Sequence, residues 1–197
     1  MMEILRGNEY EEIIFSKLIV LNKNLTETNF LECNFKNCDF SGVDFSKCAF
    51  VECNFQNCNL SLIRCDDSKF RGVQFNNCKI VGVNFNKCDD FIIEMSFQES
   101  LIESCNFSNM KLKKTPFKQC DIFESDFIYT DLSECNFSYS NLKGSVFSKS
   151  NLSKANFSEA KQYNINLLDN THNKAIFTMP EASSLLNNFN IKIKEIT

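Results

Sequence analysis

From Phe15 onward, every fifth residue of this chain is large and apolar. The series runs Phe15, Val20, Leu25, Phe30, Phe35, Phe40, Phe45, Phe50, Phe55, Leu60, then Phe70, Phe75, Ile80 and Phe85, interrupted only by Cys65. The register slips by two residues near Asp89–Phe91 and resumes at Ile92. From there Phe97, Phe107, Phe117, Phe127, Phe137, Phe147 and Phe157 alternate with Ile or Leu. Of the 21 Phe, ten lie on the lattice before the slip and seven after it, so chance does not explain the period.

A period of five fits neither regular element. An α-helix would spread these side chains around its circumference, and a continuous strand would send alternate ones to opposite faces. The chain must therefore turn a corner once per five-residue unit, with the large residue (the centre) pointing inward each time. Two residues before the centre the side chain is small, as at Cys33, Cys38, Cys48, Cys53, Cys58, Cys78, Cys105, Ser125, Cys135, Ser140 and Ala155. The residue just before the centre is often Asn or Asp, which suits turns, and the one after it is often Ser. Successive coils then pair like parallel strands about 4.8 Å apart. The strict Phe/Leu alternation of the second half has a period of ten, so like stacks on like only if a coil has an even number of sides. Four sides and twenty residues leave room for a core. Fifteen units before the slip and fourteen after it then make about seven coils, a rod about 35 Å long. The expected fold is all-β, with Phe97, Phe117, Phe137 and Phe157 in one row and Phe107, Phe127 and Phe147 in another.

The motif stands as Cys33-Asn34-Phe35-Lys36-Asn37, Thr130-Asp131-Leu132-Ser133-Glu134, Ser150-Asn151-Leu152-Ser153-Lys154 and Ala155-Asn156-Phe157-Ser158-Glu159. This resembles the pentapeptide-repeat family, whose consensus is A(D/N)LXX, over residues 10–160. The resemblance implies a right-handed quadrilateral parallel β-helix; the handedness comes from the resemblance alone.

The chain divides into an irregular N-terminal cap over 1–14, the coil over 15–160 with its slip near 88–92, and a C-terminal cap or dimerisation segment over 161–197. Within that last segment, Phe177 to Phe189 reads as a short helix. Thr178 or Met179 precedes it, Pro180 lies in its first turn and Glu181 at its positive end. Ile191 to Ile196 alternates as a strand. Leu185, Leu186, Phe189, Ile191 and Ile193 must be covered, either by their own last coil or by a second copy. The Ala-Ser-Ser-Leu-Leu stretch followed by an Ile-x-Ile strand is similar to the C-terminus of the Qnr and MfpA branch of the family. That resemblance implies a homodimer joined through the C-terminal segment, which binds DNA gyrase or topoisomerase IV by imitating duplex DNA and protects or modulates the enzyme. Qnr proteins typically carry two longer projecting loops, whereas this chain has only the two-residue slip near Asp89–Phe91 and in that respect is similar to the loop-poor members.

The remaining chemistry is sparse. Ten of the 11 Cys occupy the small inward position and Cys65 a centre, so they read as small buried hydrophobes. No CxxC pair exists and His172 is the only imidazole, a poor basis for a zinc site. There is no glycine-rich phosphate loop. Neither cofactor nor catalysis is expected. No run of 18 apolar residues suggests a membrane helix, and no basic stretch followed by an apolar one opens the chain, so a cytoplasmic location is expected. A net charge of −4 argues against direct nucleic-acid binding. DNA mimicry would need the acids gathered on one face. Glu32 and Glu52 fall one coil apart, and Asp66 and Asp67 fall one coil before Asp89 and Asp90 on the same side; these six acids are the candidate partner surface. The alternatives are ordinary solvated turns and, for the whole protein, a scaffold for some other partner.

Overall fold

In the computed structural model, which describes residues 8–20, 23–189 and 191, the chain coils into a parallel β-solenoid of about eight turns. Each coil has four sides. On side 1 the strands Glu9–Glu11, Asn29–Leu31, Ala49–Val51 and Lys69–Arg71 stack in order, with Tyr10 over Phe30, Phe50 and Phe70. Side 2 carries the longest sheet, six strands from Ile14–Ser16 to Phe117–Lys118. Side 3 follows with Lys79–Val81, Leu101–Glu103 and Asp121–Phe123, and side 4 with Asp126–Ile128, Val146–Ser148 and Asn164–Ile165.

The pairing register is the twenty-residue repeat itself. Phe15 pairs with Phe35, Phe35 with Phe55, and Phe55 with Phe75. Side 2 carries an unbroken Phe column from Phe15 to Phe177, with neighbouring ring centroids 4.6–5.2 Å apart. The expected Phe107, Phe127 and Phe147 row stands on side 4 at 5.0 Å spacing. Rings on adjacent sides meet edge to face, as Phe117 and Phe127 do at 87°, an arrangement their quadrupoles favour. The stack also sets the coil rise at about 5 Å.

The corners are built by backbone conformation. Two residues after most centres the chain enters the left-handed region, which 26 non-glycine residues among those described adopt. There the N–H can still reach the next coil, as Glu32 N–H reaches Val51 O at 2.8 Å. The Asn or Asp before the centre accepts the N–H two residues on, as Asp44 does from Ser46 at 2.9 Å. That closes the turn locally.

Three expectations are corrected. The solenoid is about eight turns, not seven, because it begins before residue 15 and continues past 160. Glu9–Glu11 already pairs with Asn29–Leu31, so at least residues 9–11 belong to the coil and not to an irregular cap. At the other end Asn164–Ile165 pairs with Val146–Phe147, and Ile176–Phe177 with Asn156–Phe157. The period is hidden there because the register drops to eighteen residues at Asn164 and returns to twenty at Thr171. The two extra residues of the central slip lie between Asp89, whose N–H still reaches Ser68 O, and Met95, which pairs with Val73 twenty-two residues back. This bulge turns Phe91 outward, 85% exposed. Beyond the coil, Glu181–Phe189 is a 3₁₀ helix; the strand expected over Ile191 to Ile196 lies almost wholly outside the described residues.

Candidate interaction surface

The inward small position is more than a space-filler. Its side chain donates to the carbonyl of a centre in the preceding coil. Cys53 Sγ reaches Phe30 O at 3.3 Å, Cys58 reaches Phe35 O at 3.3 Å, Ser140 Oγ reaches Phe117 O at 2.7 Å and Ser150 reaches Phe127 O at 2.7 Å. Asn170 does the same to Phe147 O at 2.9 Å. This accounts for the interchange of Cys, Ser and Thr where Ala would fill the same space.

All eleven cysteines are unbonded thiols, ten of them buried. Burial pushes the Cys48 and Cys105 thiols up to about 11 and those of Cys53 and Cys120 up to about 12. Protonated thiols are poor nucleophiles and poor metal ligands. No group of three or more His, Cys, Asp or Glu side chains among the described residues could hold a metal ion. His172 is exposed, its Nδ1 at 2.9 Å from Asn170 O. No helix of the described residues is long and apolar enough to cross a membrane.

What remains is surface. The six acids singled out from sequence do not form one row. Glu32 and Glu52 do stack, joined by Glu12 one coil earlier; all three are exposed and left-handed at the corner of sides 1 and 2. The Glu52 carboxylate leans over Gly72 in the next coil, where any Cβ would collide with it. Asp66 and Asp67 stand instead on side 4 and its corner, where Arg64 bridges Asp44 at 3.2 Å and Asp66 at 3.4 Å. Asp89 continues the side 1 row of Asn29, Ala49 and Lys69, because its N–H bonds to Ser68 O as that of Lys69 bonds to Cys48 O. Its carboxylate holds the bulge by accepting the Phe91 N–H at 2.9 Å.

Sequence reasoning missed Glu9, Glu11 and Glu12, because it placed residues 1–14 outside the coil. These three are exposed on side 1 of the first coil. With Glu32 and Glu52 they give five carboxylates and no base over the outward positions of the first three coils on that side. None has an ion pair among the described residues. Further along the same side bases enter, with Lys69 and Arg71 in the fourth coil and Lys111, Lys113 and Lys114 in the sixth, on either side of Asp89 and Glu94 in the fifth. Lys113 bridges Glu134 at 3.4 Å. A groove of about 370 Å³ at the break runs between Glu52 and Gly72, the Ile93–Ser96 stretch and Lys113–Thr115.

At the C-terminal end Leu185 is buried against the chain's own last coil. Leu186, Phe189 and Ile191 remain 39%, 40% and 56% exposed, beside Met179 in the same tail at 74%. Ile193 lies outside the described residues.

Known proteins share this architecture. Family models match as "Pentapeptide repeat region" over residues 28–103 and as "Pentapeptide repeats (8 copies)" over 101–138 and 130–161. Among curated proteins no sequence match is found. Among solved structures, HetL, a pentapeptide-repeat protein involved in heterocyst differentiation regulation in the cyanobacterium Nostoc sp. strain PCC 7120, is 14% identical. It covers 87% of each chain with a TM-score of 0.51, a likeness of fold. Full-length QnrB1, a plasmid-mediated fluoroquinolone resistance protein, is 16% identical over 93% of this chain and 100% of its own, with a TM-score of 0.45. With family matches running from residue 28 to 161 and the repeat visible coil by coil, the chain belongs to the pentapeptide-repeat family.

Proposed function

We propose that this protein is a non-catalytic cytoplasmic binding rod that offers an acidic edge to a type II topoisomerase, DNA gyrase or topoisomerase IV, in place of duplex DNA. The observation that carries the reading is the base-free set of Glu9, Glu11, Glu12, Glu32 and Glu52 on side 1. Two coil rises, near 5.4 and 5.0 Å by the Tyr10, Phe30 and Phe50 rings, span these five carboxylates. That is about one charge per 2–3 Å, close to the one per ~1.7 Å of duplex DNA. The C-terminal resemblance to the Qnr and MfpA branch supports the same partner, and with it a second copy joined at the exposed Leu186, Phe189 and Ile191.

The test is a gyrase supercoiling assay titrated with this protein, with and without ciprofloxacin. Rescue in drug marks a protector; inhibition without drug marks a modulator. Glu12→Lys/Glu32→Lys/Glu52→Lys should abolish either effect while leaving the fold intact. A folded wild-type protein without effect on gyrase or topoisomerase IV would refute the reading. A second reading, a scaffold for a different protein, draws on Lys111, Lys113, Lys114, Lys154 and Lys174, which break the acidic edge in the later coils.

A further inference from the structure

Side 1 is complementary to itself when one rod is turned end for end. Its strand register counts coils from Glu9, so that Glu9, Asn29, Ala49 and Lys69 open the first four. The fifth, from Asp89, carries the bulge. Lys111 opens the sixth, in register with Asp131, Asn151 and Thr171 beyond it. A two-fold axis along the strand direction, midway between the third and fourth coils, sets coil one against six, two against five and three against four. It also keeps each column opposite its own column.

We infer that side 1 is a self-association surface on which a second copy of this chain lies antiparallel, with Glu9, Glu11 and Glu12 facing the partner copy's lysines of the sixth coil. In that register Glu9 meets the column of Lys111, Glu11 that of Lys113 and Glu12 that of Lys114, and the contact occurs twice because the interface is isologous. Between the two charged ends, the outward Leu31 of the second coil meets the exposed Phe91 and Ile92 of the bulge in the fifth. Ala49 and Val51 of the third coil meet the aliphatic stems of Lys69 and Arg71 in the fourth. Leu31, Ala49 and Val51 are half-buried apolar side chains on an outward strand face that elsewhere carries polar residues. One like-charged pair, Glu32 opposite Glu94, opposes the pairing. The four-stranded sheet of side 1 supplies the first four coils of this surface.

This inference does not rest on the topoisomerase reading. The two use the same first-coil carboxylates, so self-pairing would hide the edge that a DNA-binding enzyme would need. It also differs from contact through the C-terminal end, which leaves side 1 free.

The test is the molar mass in solution, by light scattering or sedimentation, of the full chain carrying Leu186→Asp/Phe189→Asp so that the C-terminal end makes no contact. At low salt the mass should be twice the 22.8 kDa of one chain. It should fall towards one chain near 1 M salt, where the Debye length is about 3 Å. Glu9→Lys/Glu11→Lys/Glu12→Lys and Lys111→Glu/Lys113→Glu/Lys114→Glu should each be monomeric at low salt with unchanged circular dichroism. Mixed one to one, the two variants should regain the doubled mass, because each then presents what the other lost. A monomer at low salt, dimers in either single variant, or no recovery on mixing overturns the inference. The lysine variant keeps all five edge carboxylates, so its gyrase activity is read separately from its mass.

Discussion

The coils before the bulge and the coils after it solve the same packing problem with different chemistry. In the early coils Phe stands on adjacent sides, as at Phe30, Phe35, Phe40, Phe45, Phe50 and Phe55. The small positions beside them are mostly thiols, whose Sγ–O contacts run mainly from 3.3 to 3.6 Å. In the later coils Phe alternates with Leu or Ile, and the small positions are mostly hydroxyls. Ser140, Ser145 and Ser150 donate at 2.7–2.9 Å. They also accept a buried N–H from the coil before, as Ser140 does from Cys120 at 2.9 Å and Ser150 from Thr130 at 2.9 Å. The early half is held chiefly by ring packing and the later half adds a hydroxyl bridge between coils. Because each coil touches only its neighbours, the two halves can differ in stability within one rod.

Alkaline pH should separate them most. A thiol whose folded pKa is raised keeps its proton longer in the folded state than in the unfolded one. Its stabilising contribution is complete below the unfolded value of about 8.5 and is lost as pH rises towards 11–12. Each unit of upward shift is worth about 1.4 kcal/mol. Cys33, Cys38, Cys48, Cys53 and Cys58, all pushed up, lie before the bulge, and Cys105, Cys120 and Cys135, also pushed up, lie after it, while the hydrogen bond to Cys58 holds Cys78 down. Urea midpoints should be flat from pH 7 to 8 and fall above 9, with proteolysis at pH 10 cutting first within residues 29–80. First cuts within 115–160 would show that thiol burial does not distinguish the halves.

Ring deletion comes next. Phe127 is fully buried between Phe107 and Phe147, both stacked at 5.0 Å. Phe127→Ala should cost about 3–5 kcal/mol. Phe45 sits between Leu25 and Cys65 in its column and meets rings only edge to face. Replacement by Leu should therefore cost more at Phe127 than at Phe45, by about 1 kcal/mol. Equal losses in denaturant titration would mean that stacking along the column adds nothing beyond area.

The Phe lattice makes the four-sided core legible in the amino-acid sequence, because side 2 needs one Phe per coil and the chain supplies it at a near-constant spacing. Other features leave weaker traces. The first side 1 strand escapes the count because its centre is Tyr10, which holds the lattice position five residues before Phe15 without being a Phe. Residues 161–177 escape it because a drop to eighteen residues followed by a return to twenty destroys a linear count while preserving the stack of Phe157 on Phe177. The acidic edge is half legible. Glu32 and Glu52 share a column that a count of twenty finds, whereas Asp66 and Asp67 are parted from Asp89 and Asp90 by a corner that no spacing reveals. The coil-bridging role of the small position has a signal in Cys, Ser and Thr exchanging where Ala would fit.

That exchange supports the finest comparison of the two halves. Ser140→Ala removes a donor to Phe117 O and an acceptor for Cys120 N–H, leaving both buried without that partner. Cys58→Ala removes a weaker, longer-range donor that reaches Phe35 O at 3.3 Å and Gln56 O at 3.4 Å. A buried polar group stripped of its partner costs about 1–3 kcal/mol. The serine change should therefore fall in the upper part of that range and the cysteine change near or below its floor. Cys58→Ser should restore the later half's chemistry in the earlier half, since Oγ can reach the same carbonyl and also accept the Cys38 N–H one coil before. Urea titration of the three variants reads the order directly. If Cys58→Ala proves as costly as Ser140→Ala, the thiol acts through volume and dispersion, and the two halves differ in composition but not in how their coils are joined.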